Sequence, residues 1–149
     1  MKTIRGNKPI RITAAVLTAA VMTVIFILSA QPAKKSSELS MSLLARFFDE
    51  ETQLLLHSLV RKLAHMTEYA ALGFSASLFA STVTEKRLLN TAVPFAFSVL
   101  YACSDEFHQT FVDGRAGQFT DILIDSAGAA AGMIVLSLFI IIISKKYRN

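Results

Sequence analysis

Nineteen consecutive residues, Ile12 to Ala30, carry no charge. A helix needs about 20 mostly apolar residues to cross the hydrocarbon core of a bilayer, so this stretch is long enough to span one. The rest of the chain agrees with lipid as a solvent. Hydrophobic residues make up 53% and charged residues 17%, against roughly one-quarter charged in an average soluble domain, and the mean hydropathy is +0.49. Lys2, Arg5, Lys8 and Arg11 precede the stretch and Pro32 follows it. The apolar part of a signal peptide is shorter, roughly 7–15 residues. Leu28 also occupies the position where cleavage after Ala30 would want a small residue. A retained first helix is expected.

Further apolar segments predict an all-α membrane protein, a bundle of about four transmembrane helices forming one domain over 1–149. The expected spans are 12–30, 64–83, 88–104 and 121–144. Pro94 falls in the first turns of the third, where proline is tolerated. Between the first two spans, Leu39, Leu43, Leu44, Phe47, Phe48, Leu55, Leu56 and Leu59 recur at helical spacing around charged residues. This pattern predicts an amphipathic helix at the interface over about 38–60, with Asp49-Glu50-Glu51 arguing against a span. Cys103, the only cysteine, lies in an apolar run and is expected to be inert packing.

Net charge is +4, but the positives sit at segment ends instead of pooling into a nucleic-acid patch. Four spans put the N-terminus, the Glu85-Lys86-Arg87 turn and the C-terminus on one side, with nine of the 15 Lys and Arg residues. That side is expected to be cytoplasmic. The protein is thus expected in a cytoplasmic membrane, multi-pass, with both termini inside.

Three polar groupings interrupt the apolar background. In Arg61-Lys62-Leu63-Ala64-His65-Met66-Thr67-Glu68-Tyr69, Arg61, His65 and Glu68 share a helical face. Snorkelling to the headgroups accounts equally well for Arg61 and Lys62. A His65–Glu68 pair inside a span points to function, because ionisable groups there are costly. Ser104 to Arg115 holds Asp105, Glu106, His108, Gln109, Asp113 and Arg115 in twelve residues. Asp105, His108 and Gln109 lie on one helical turn. A carboxylate beside a histidine can set its tautomer for base or nucleophile chemistry, and Arg115 can grip a phosphate through two parallel hydrogen bonds. The third grouping is the stripe Asp121, Asp125, Gly128, Gly132. Its GxxxG pattern allows close helix approach and turns Asp125 inward. Asp125 is equally a catalytic group or a hydrogen-bond acceptor holding the bundle together. The histidines and carboxylates offer nitrogen and oxygen ligands, but their spacing is not a diagnostic zinc signature. No metal is assigned, and the cofactor is unknown.

Taken in order, these residues resemble the VanZ family of small bacterial membrane proteins. The likeness rests on Ser29-Ala30-Gln31-Pro32, Arg61-Lys62 with His65, Glu68 and Tyr69, Leu72-Gly73, Ser104-Asp105-Glu106-Phe107-His108-Gln109, Gly114-Arg115, Asp121, Asp125 and Gly128. Asp113 stands before Gly114 where the family often has proline, which bears on the stiffness of that loop. The resemblance implies membership of a group proposed to act on lipid head groups or lipid-linked cell-wall precursors. The founding member is associated with low-level resistance to the glycopeptide teicoplanin.

These readings lead to an expected enzyme working at the outer leaflet on a phosphate-bearing lipid. His65, Glu68, Asp105, His108 and Asp125 are its catalytic candidates. Arg61, Glu106, Gln109, Arg115 and Asp121 are its substrate-binding candidates. The alternative is a non-catalytic protein that binds a lipid, an antibiotic or a partner. A transporter is disfavoured because the polar groups cluster at one face instead of the midplane. The expected partners are the bilayer, a lipid or lipid-linked substrate, no nucleic acid, and a second copy of the chain through Gly128 and Gly132.

Overall fold

A computed structural model describes residues 6–146. Lys2, Arg5 and Arg148, used above for orientation, lie outside the described residues. Among the described residues there are five helices and no strand: α1 Lys8–Ser29, α2 Ala33–Leu44, α3 Glu50–Val83, α4 Arg87–Gln109 and α5 Phe119–Lys146. α1 begins where Asn7 accepts the Ile10 N–H at 3.2 Å, with proline in the first turn, a pairing that satisfies one orphan donor and presets φ. It stops at Ser29, and Pro32 opens the way into α2.

Two helices, Lys8–Ser29 and the Phe119–Lys145 part of α5, are long and apolar enough to cross a membrane, each with mean hydropathy 2.4. Only 17% and 28% of their most apolar stretches are buried. The core helix of a water-soluble protein would hide that surface; here it faces outward, as lipid contact requires. α3 and α4 are too polar to meet the same standard, so the composition of two helices, not four, marks them as spans.

The segment between the first two expected spans folds differently from the single interfacial helix predicted over 38–60. α2 closes at Leu44, and α3 then runs unbroken for 34 residues. Asp49 is its N-cap residue, with Glu50 and Glu51 in its first turn. The acidic triplet therefore starts a helix instead of interrupting one, because carboxylates favour the positive end of the helix dipole. At 1.5 Å per residue α3 is roughly 51 Å long, well beyond the roughly 30 Å hydrocarbon core. Pro94 lies inside α4 and is buried. Cys103 is exposed on α4, because the inward face of that helix is set by Ala102, Asp105 and Glu106.

α3 is the central helix and touches each of the other four. Its closest partner is α5. Gly128 lies against the backbone of Met66, Gly132 against Ala70, and Gly73 against Ala129. The glycine face considered for self-association is thus filled by α3 of the same chain. The core it creates is small: Ile25, Tyr69, Leu72 and Ala102, flanked by Val21, Met22, Tyr101 and Ile122. It draws on α1, α3, α4 and α5, and the polar site sits on it.

Candidate functional site

Four segments bring polar groups to one end of the bundle: the C-terminal end of α1, the middle of α3, the C-terminal turns of α4 and the first turns of α5. The loop 110–118 closes over them. Gly114 takes φ +68°, and a Cβ at Gly117 would meet the Glu106 carbonyl oxygen at 2.6 Å. The loop therefore turns tightly and lies directly on α4. Its stiffness comes from hydrogen bonds in place of the missing proline: Ala33 N–H donates to Asp113 O at 3.1 Å and Arg115 N–H to Val112 O at 3.0 Å.

Asp105 is the buried centre of one network. Its Oδ2 accepts from Ser29 Oγ at 2.8 Å and from Gln109 Nε2 at 3.1 Å. Gln109 Nε2 also reaches Glu106 Oε1 at 3.1 Å, and Glu106 Oε2 accepts the Gln118 N–H at 2.8 Å. That last bond places a carboxylate at the start of α5, where orphan N–H groups and the helix dipole favour it. Glu106→Ala should therefore lower stability by about 1–2 kcal/mol, in the range of a lost N-terminal cap. Chemical denaturation of the detergent-solubilised protein measures it, and an unchanged midpoint would mean that the bond contributes nothing.

Arg115 donates from Nε to Gln31 O at 2.9 Å, from one terminal nitrogen to Gln109 Oε1 at 3.1 Å, and from the other to Leu28 O at 3.4 Å. Two of these acceptors are carbonyls at the C-terminal end of α1, where a cation is favoured. Burial and the nearby Arg61 charge pull the Arg115 guanidinium below its ordinary value, while Asp105, Glu106 and Glu68 act the other way. Three of its five N–H groups are thus engaged inside the protein.

The second group is short of partners. Arg61 Nε, His65 Nδ1, Glu68 Oε2, Tyr69 Oη and both Asp125 carboxylate oxygens are buried without a hydrogen-bond partner. Asp125 is 0% exposed. His65, Asp105 and Asp125 each offer a ligand atom, all within 4.8 Å of one another.

His108 stands apart. Its ring lies on Phe26, with centroids 4.7 Å apart and planes tilted by 32°. Its Nδ1 has no partner, and the hydrogen bonds of Asp105 go to Ser29 and Gln109. The histidine gathered with Asp105 is His65, from another helix. Asp121, half-buried in the first turn of α5, receives a long 3.4 Å contact from Thr120 Oγ1. Tyr101 donates to Met22 O at 2.7 Å and packs near Tyr69, ring centroids 6.3 Å apart.

Ser29, Gln31, Tyr101 and the Gln118 backbone are parts of the site that residue spacing did not assign. Ser29 and Gln31 had a signal, the Ser-Ala-Gln-Pro run at the end of an apolar helix. Tyr101 had none, being one aromatic residue in an apolar run. A cavity of about 670 Å³ lies between α1 and α3, lined by Val21, Val24, Ile25, Leu63, Thr67 and Glu68. A second, of about 570 Å³, lies between α1, α3 and α4, and no titratable side chain lines it.

The family model described as VanZ/LLP1 matches residues 14–141. The chain belongs to the VanZ/LLP1 family. The match runs from within α1 into α5, so every residue of the polar site lies inside the VanZ/LLP1 region. Together with the two outward-facing apolar helices, it makes this a membrane protein. Comparison with curated proteins finds no match, and neither does comparison with solved structures.

Proposed function

We propose that this VanZ-family protein is an intramembrane enzyme that acts on a phosphate-bearing lipid head group or lipid-linked cell-wall precursor at the outer leaflet. The observation that carries the proposal is Glu68. Its Oε2 is buried without a partner, and the residue lines an apolar cavity between α1 and α3. A lipid with its chain in that cavity would bring its head group beside Glu68, with Arg61 two turns earlier on the same helix face.

In this reading all four long helices cross the bilayer as one multi-pass domain. Lys8, Arg11, Lys86, Arg87 and Lys145 mark the cytoplasmic side. α2 and the first turns of α3 lie at the outer interface, where exposed Leu54, Leu55 and Phe47 meet the acyl boundary. Arg61 holds the phosphate, helped by the remaining N–H groups of Arg115 and by Gln109 and Asp121. Glu68 takes the proton from the attacking hydroxyl and returns it to the leaving oxygen. His65, Asp105 and Asp125 form the polar floor beside it, and His108 edges the site on the α1 side. A water-poor pocket strengthens each of these interactions. An effect on glycopeptide susceptibility follows where the lipid acted on is a cell-wall precursor.

The test compares lipid and cell-wall-precursor profiles by mass spectrometry. One culture overexpresses the wild type and another an equal amount of Glu68→Gln; Arg61→Ala and His108→Ala serve as further variants. A lipid class should change with the wild type only, and Glu68→Gln should lower turnover by about 10²–10⁴, the usual contribution of a general acid–base group. Matching profiles at equal protein levels would sink the enzyme reading and leave a protein that binds its lipid without converting it.

A further inference from the structure

We propose that His65, Asp105 and Asp125 hold a divalent transition-metal cation. The three come from α3, α4 and α5, and one ligand atom of each lies within 4.8 Å of the others. Each helix brings its residue to the same point because the glycine contacts of Gly128 and Gly132 with Met66 and Ala70 draw α5 onto α3.

The decisive observation is Asp125. It is fully buried, and both of its carboxylate oxygens lack a hydrogen-bond partner. Buried carboxylates are ordinarily paired, hydrogen-bonded or metal-bound. A proton shared with another acid would draw one Asp125 oxygen to hydrogen-bond distance, and neither oxygen has such a contact. His65 Nδ1 is buried and unpartnered as well.

The chemistry of the set is that of a cation site. Two carboxylates and a neutral imidazole supply two negative charges, matching a divalent ion where dielectric screening is weak. The imidazole nitrogen selects a transition cation such as zinc or manganese over magnesium and calcium, which favour all-oxygen ligands. Metal–ligand bonds of about 2.1 Å put tetrahedral ligand atoms about 3.4 Å apart, a closure that side-chain rotation can supply. Asp105 is also held as a ligand should be. Ser29 and Gln109 both donate to its Oδ2, which aims the carboxylate and leaves Oδ1 for the ion. Glu68, one turn from His65, stays outside the set and free for proton transfer. The metal site stands on this geometry alone, whether or not the lipid chemistry is right.

Metal content is the test, read without substrate. The full-length protein, purified in detergent with its affinity tag removed, is equilibrated with zinc, manganese, magnesium or calcium. It is then desalted and measured by inductively coupled plasma mass spectrometry. We expect about one zinc or manganese per chain. Asp125→Asn and His65→Ala should each weaken binding at least tenfold, and Ser29→Ala by about tenfold through the aim of Asp105. His57→Ala, a half-buried residue two turns before His65 whose ring is bonded to Leu54 O, should bind as the wild type does. Should a variant fail to fold, the wild type still tests the site: bound metal must raise its melting temperature. Wild-type protein with no metal and no thermal shift would overturn the proposal. So would unchanged binding by Asp125→Asn, or a preference for magnesium or calcium.

Discussion

Gly132→Ala is expected to destabilise the protein by about 3 kcal/mol, at the upper end of the cost of overpacking a core. In a solvated helix the same change would stabilise by about 1 kcal/mol, because alanine is the better helix former. The sign of the measured effect therefore reports whether space or propensity dominates. Here space should win. A Cβ on Gly132 would sit well inside contact distance of the Ala70 carbonyl oxygen, and its next neighbours are also Ala70 backbone atoms. Backbone cannot swing aside as a flexible side chain can, so α3 and α5 would have to separate. That separation would also pull Asp125 away from His65, and the site should loosen with the fold. Gly128→Ala, which meets the Met66 carbonyl, should behave alike. Thermal unfolding in detergent, followed by circular dichroism, measures both. A variant as stable as the wild type would mean that this glycine face is not packed against α3.

The second large effect is Arg115→Lys, which should cost about 2 kcal/mol or more despite keeping the charge. Arg115 reaches three acceptors in three directions: Leu28 O, Gln31 O and Gln109 Oε1. A lysine ammonium is a point on a flexible stem and cannot reproduce that planar fork. The acceptors left behind would lose charge-assisted bonds worth roughly 1.5–3 kcal/mol each, less where water can replace them. Arg115→Ala should cost at least as much. The readout separates two roles. A strut predicts a lower melting temperature for Arg115→Lys whatever ligand is present. A pure phosphate ligand predicts wild-type stability with weakened lipid binding, and that result would remove Arg115 from the scaffold described here.

Arg115 also shows where sequence reasoning reaches its limit. Its donor chemistry was legible from its residue type and its place after a glycine turn. Its partners were not: two of them are carbonyls 84 and 87 residues away in the chain, and no helical spacing encodes them. The same holds for Asp105. Helical spacing grouped it with His108 and Gln109; Gln109 does donate to it, but its other hydrogen bond comes from Ser29, 76 residues away, and His108 makes none with it. Helical periodicity says which residues share a face of one helix. It does not say which face of another helix comes to meet them. The acidic triplet at 49–51 read as a break in an apolar run, whereas α3 takes Asp49 as its N-cap residue and Glu50 and Glu51 as its first turn.

Lipid as the solvent, the helical class and the family were legible in consecutive residues. Apolar length and charge spacing are properties of consecutive residues, and the ordered polar motifs need no coordinates to be seen. The tertiary structure alone decided that Gly128 and Gly132 are filled by α3, that Arg115 fastens the loop to α1, and that His65 meets Asp105 and Asp125 while His108 rests on Phe26. Those outcomes depend on how closely α3 and α5 approach. That approach is set by backbone contacts at glycines, between residues far apart along the chain.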